Sequence, residues 1–63
     1  MWRVSYSLYG LVYTSKVYPS LQWCLDEIHQ RWSDFGYDAM GWFRVEEKYD
    51  GVWRQRGFIK MDE

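Results

Sequence analysis

Residues 41–58 read GWFRVEEKYDGVWRQRGF. Asp50-Gly51 is a strong hairpin signal, because both central positions of a type I′ turn need positive φ. Folding there pairs Tyr49 with Val52, Glu47 with Arg54, Val45 with Arg56 and Phe43 with Phe58. Side chains alternate between the two faces of a strand. One face then holds Phe43, Val45, Tyr49, Val52 and Phe58 with Arg54 and Arg56. The other holds Met40, Trp42, Trp53, Ile59 and Met61 with Arg44, Glu46 and Lys48. Both faces carry large apolar groups, so burying one in a core leaves the other uncovered.

Upstream, WRVSYSLYGLVYTSKVY alternates with period two. A loop at Tyr9-Gly10 pairs Leu8 with Leu11, Tyr6 with Tyr13, Val4 with Ser15 and Trp2 with Val17, which makes one apolar face. Arg3, Ser5, Ser7, Val12, Thr14 and Lys16 form the other, which water can cover. Tyr-Gly is not the preferred turn pair, so a longer, bulged loop competes with the tight one. Between the hairpins, Leu21, Cys24, Leu25, Ile28 and Trp32 fall on one stripe at ~100° per residue. That spacing predicts an amphipathic helix from Ser20 to Asp34, with Ser20 as N-cap (or Pro19 as the first helical residue) and Gly36 as the stop. Trp23 falls on the polar side, ~200° from Leu21. It either folds back over Tyr18 and Pro19 or stands out as an anchor.

Strand, strand, helix, strand, strand predicts an α+β fold: one four-stranded sheet with one helix packed across one face. The two hairpins would meet through the first and fourth strands. This element order is similar to that of the β-grasp family and the small immunoglobulin-binding bacterial domains. The likeness is one of topology and implies no activity. The 63 residues make a single domain, with no linker, low-complexity tract or repeat.

A chain this short is hard to stabilise, because ordering it costs about 1.5 kcal/mol per residue and core burial barely offsets that. The single cysteine, Cys24, excludes an internal disulfide, and with His29 as the only histidine a Cys/His zinc site lacks ligands. Five Trp, six Tyr and three Phe remain as the source of stability. The net charge of −1 argues against strong steering toward nucleic acid. No apolar run approaches the ~20 residues that span a bilayer. The N-terminal MWRVSYSLYG is not a secretory signal, and with a lone thiol this leads to a cytoplasmic expectation.

Catalysis is not expected. Cys24 and His29 lie ~140° apart on the helix, too far round to act as nucleophile and base. The adjacent carboxylates Asp26-Glu27 and Glu46-Glu47 point apart. The glycines show no phosphate-binding spacing, and so small a domain has little room for a substrate pocket. No cofactor or metal is called for.

The uncovered face of the second hairpin carries the functional expectation. Burying Arg54, Arg56 and Glu47 beneath the helix would cost more than burying Arg44 alone. The preferred arrangement therefore puts Met40, Trp42, Ile59 and Met61 under the helix and leaves Phe43, Val45 and Phe58 outside. Phe43, Val45, Tyr49, Arg54, Arg56 and Phe58, with Trp23, are the expected partner contacts, since rings with arginine compose interface centres. Acid is biased to the helix (Asp26, Glu27, Asp34) and base to the strands. The expected function is a small non-catalytic protein-binding module, an inhibitor or regulator of phage, plasmid or bacterial origin. Its partner would be another protein or a second copy. The alternative is a single-stranded nucleic-acid binder that stacks bases on a ringed, basic sheet face.

Overall fold

Both tight turns form where the sequence places them. Tyr9 and Gly10 have φ of 52° and 84°, and Asp50 and Gly51 have 56° and 80°, the positive pair that joins twisted strands directly. Tyr9 is an unusual residue for that conformation. Its ring meets Phe35 edge-on at 6.5 Å and its hydroxyl donates to the Phe35 carbonyl at 3.3 Å, so tertiary contacts hold it there.

The computed structural model describes residues 1–61. In chain order the elements are β1 (Trp2–Leu8), β2 (Leu11–Thr14), α1 (Leu21–Phe35), a 3-10 turn (Tyr37–Ala39), β3 (Met40–Tyr49) and β4 (Val52–Lys60). This is the α+β arrangement expected: a four-stranded antiparallel sheet with one helix. The strand order is β2-β1-β3-β4, which corrects the expected meeting of the first and fourth strands. Gly36 ends the helix at φ 91° and ψ 155°. The 3-10 turn then brings Ala39 against the first hairpin, where the Tyr9 N–H donates to the Ala39 carbonyl at 2.8 Å. The chain therefore enters β3 beside β1. Composition agrees: β1 buries residues 4–8 and β3 buries Met40, Phe43 and Val45, whereas β4 carries Arg54, Arg56 and Lys60 and buries none of its residues. Short or charged strands suit the edges of a sheet.

In the second hairpin, Tyr49 faces Val52 and Glu47 faces Arg54, as expected. Beyond them a bulge intervenes: Glu46 faces Gln55 while Val45 faces Gly57, which leaves Arg56 as the extra residue. Phe43 consequently pairs with Ile59, and Phe58 moves to the other face beside Arg44. A β-bulge adds one residue to one strand and so flips every side chain beyond it.

The expected assignment of faces is corrected as well. Phe43 and Val45 lie in the core under the helix, 7% and 6% exposed, and Trp42 lies on the open face. The β1–β3 register decides this by setting Val45 against Val4 and Phe43 against Tyr6. Met40 joins the same core through an irregularity between Tyr6 and Leu8. The cost of burying Arg54 and Arg56 does not arise, since both are exposed on the edge strand. The first hairpin slips too. Ser15 still bonds Val4, but Trp2 exchanges main-chain hydrogen bonds with Tyr18, not Val17.

The core consists of Val4, Tyr6, Leu8, Cys24, Ile28, Ala39, Met40, Phe43 and Val45. Of the helix stripe, Cys24 and Ile28 are sealed and Trp32 packs on the core's margin, while Leu21 and Leu25 stay exposed. A helix about 10 Å across, laid on strands about 4.8 Å apart, covers two strands of four. Here it packs on β1 and β3, and the ground above the outer strands is left open.

Candidate functional site

The most apolar of those open regions is a groove of about 270 Å³ between α1 and β4. Leu21 and Leu25 form the helix wall. Arg56, Gly57, Phe58 and Ile59 form the strand wall, and Trp2, Phe43 and Val45 form the floor. Phe58 and Ile59 are 48% and 53% exposed. Arg56 is the polar member of this lining, and its Nε donates to Glu47 at 3.0 Å. Glu47 thus turns to the bulge arginine and not to Arg54, the partner directly across the ladder.

The structure places the expected contact residues unevenly. Phe43 and Val45 contribute to this groove only as its buried floor, not as an outward surface. Arg56 and Phe58 line it. Arg54 lies along the same strand, and Tyr49 stands exposed at the hairpin tip. Trp23 is remote from the groove. Its ring meets Tyr18 edge-on at 5.8 Å and remains 54% exposed, so it folds over the chain entering the helix and still presents a surface. Trp2, Leu21, Leu25, Gly57 and Ile59 were not among the expected contacts. The width of a helix against that of four strands was the signal that could have found them.

The open face of the sheet is a second, more polar surface. Trp42 and Phe58 lie 5.9 Å apart there. Arg3 covers the Trp53 ring at 4.1 Å and pairs with Glu46 at 2.8 Å, and Arg44 lies 5.7 Å from the Trp42 ring. The arginines thus already occupy ring faces that a nucleobase would need.

On the helix side, Glu27 ties three elements together. It accepts the Tyr6 hydroxyl at 2.8 Å and also the Tyr18 hydroxyl, while Arg31 Nε donates to Tyr6 at 3.1 Å. Burial raises the Tyr6 phenol. The Tyr18 phenol is pushed up to about 12, first by its bond to Glu27. Cys24 is fully buried, and burial pushes its thiol up to about 11, so it stays protonated and shielded. His29 is exposed on another side of the helix. Among the described residues, no group of three or more His, Cys, Asp or Glu could hold a metal ion. No helix among them is long and apolar enough to cross a membrane.

These shifts set an alkaline limit. Tyr18 and Cys24 hold their protons more tightly folded, at about 12 and 11, than at their ordinary 10.0 and 9.0. Their contribution is complete below pH 9 and is lost as pH rises toward 12. Urea midpoints should fall across that window, and Tyr18→Phe should flatten the upper part of the fall. A flat profile contradicts the assignment. Native Cys24 should also resist a thiol reagent at pH 8 until the chain unfolds.

Comparison with protein-family models, curated proteins and solved structures found no match.

Proposed function

We propose that the chain is a non-catalytic protein-binding module, an inhibitor or regulator that acts by seating part of a larger protein in the groove between α1 and β4. The groove itself carries this reading. Leu21, Leu25 and Ile59 form an exposed apolar patch next to Arg56. Contiguous apolar surface of this kind marks interaction sites, and a floor that is already packed gives a partner's side chain a pre-formed seat. The shielded, protonated Cys24 supports the non-catalytic part of the reading.

The open sheet face favours a second reading, single-stranded nucleic-acid binding. It presents Trp42, Trp53 and Phe58 with Arg3, Arg44, Lys48 and Lys60. The net charge of −1 and the arginine-covered rings weigh against it.

Photo-crosslinking separates the two. A photoreactive residue at position 25, in an extract of the source cells, should yield a discrete protein adduct. Ile59→Glu should abolish it, and the same probe at Asp34 should not yield it. Absence of a protein adduct from position 25 contradicts the reading. Salt-dependent binding of mixed oligonucleotides, lost in Trp42→Ala, would install the second reading in its place.

A further inference from the structure

We infer that the groove's occupant adds a strand to the outer edge of β4, and that this strand is acidic. The inference rests on the protein-binding reading above and names the chemistry of the partner. β4 is the last strand of the sheet, and among the described residues nothing pairs with its outer edge. The Met61 N–H donates to the Gly41 carbonyl at 2.7 Å. Hydrogen-bonded and outward-facing positions alternate in an antiparallel ladder, so the main-chain groups of Phe58 and Lys60 point away from β3. The groove is walled by the same stretch of this strand, residues 56–59. A strand docked there would send alternate side chains into the groove beside Leu21, Leu25 and Ile59. The intervening ones would lie on the open face beside Phe58 and Lys60. Main-chain bonding with pockets for alternate side chains is the logic of strand addition.

Charge chooses the occupant. β4 carries Arg54, Arg56 and Lys60 and no carboxylate. A second copy pairing through this edge would lay side by side two strands that each carry three cations and no carboxylate, which disfavours self-association. Arg56 is engaged by Glu47, whereas among the described residues no carboxylate lies within 4.0 Å of Arg54 or Lys60. An acidic strand supplies what those two lack, with carboxylates on the open face for Lys60 and one at its end on the groove side for Arg54. The bulge at Arg56-Gly57 breaks the regular edge, so the pairing is short and centred on residues 57–60.

The test pans a phage-displayed library of random twelve-residue peptides against the whole chain. Enriched peptides should alternate apolar residues with Asp or Glu. A synthetic copy of the best one should protect the Phe58 and Lys60 amides from exchange. Its affinity should fall at least ~10-fold, or ~1.4 kcal/mol, in Arg54→Glu/Lys60→Glu, whose exposed sites leave the fold intact by circular dichroism. Basic or neutral peptides, or binding indifferent to the charge reversal but blocked by Ile59→Glu, overturn the acidic strand and spare the groove. Failure to enrich any peptide that Ile59→Glu blocks overturns both. A chain whose mass doubles with concentration, more strongly after charge reversal, makes the occupant a second copy and also overturns the inference.

Discussion

Phe43→Ala is expected to unfold the chain, whereas Phe58→Ser leaves it folded. In a regular hairpin these rings would face each other across the ladder. The bulge at Arg56 puts them on opposite faces, so Phe43 sits in the core against Trp32 at 6.1 Å and Phe58 lies half-exposed against Trp42. Removing a buried phenylalanine costs about 3–5 kcal/mol. A core in a domain of this size rarely supplies more than about 3–5 kcal/mol in total. Phe58 forfeits chiefly an aromatic contact worth about 0.5–1.5 kcal/mol. Circular dichroism and urea titration of the two variants decide the matter. Matching behaviour of the two variants, both unfolded or both folded, would mean that the strands pair without the bulge, with the two rings on one face.

Glu27→Ala should produce the second-largest loss, about 3 kcal/mol, since hydrogen bonds to a charged group contribute about 1.5–3 kcal/mol each. Its carboxylate receives Tyr6 from β1 and Tyr18 from the segment that leads into the helix. Tyr6 is only 4% exposed, so its hydroxyl would lose its acceptor with little water at hand. Arg31 donates to the same oxygen and cannot take that place. Glu27→Gln keeps an acceptor of similar reach and should recover about half of the loss. Thermal melts of both variants measure this. Equal stability of Glu27→Ala and the parent would show that the cluster contributes nothing.

What could be read from the sequence was local. Asp50-Gly51, Tyr9-Gly10, the Cys24–Ile28 stripe and Gly36 each act within a few residues, and each predicted its element. What escaped depended on distant partners. Gly57 inside a strand was the visible sign of a bulge, yet its position is set by how β4 meets β3. The order of the strands depends on Ala39 reaching Tyr9, thirty residues earlier in the chain. Sequence reasoning sets Phe43 and Val45 outside in order to keep Arg54 and Arg56 from beneath the helix; an edge strand removes that constraint. Glu27 read as a surface acid because Tyr6 and Tyr18 converge on it only in the folded chain. Of the expected contacts, Arg56 and Phe58 line the groove, and Leu21 and Leu25 were hidden among residues counted as core.

The account depends most on the helix covering two strands and leaving Leu25 and Ile59 open to solvent. A soluble paramagnetic agent, added to the dilute chain with methyl signals recorded by NMR, reads this directly. Leu25 and Ile59 methyls should relax strongly while those of Val4 and Ile28 stay shielded. Leu25 and Ile59 as protected as Ile28 would mean that the groove is closed in the free protein, and the contact surface described here would not exist.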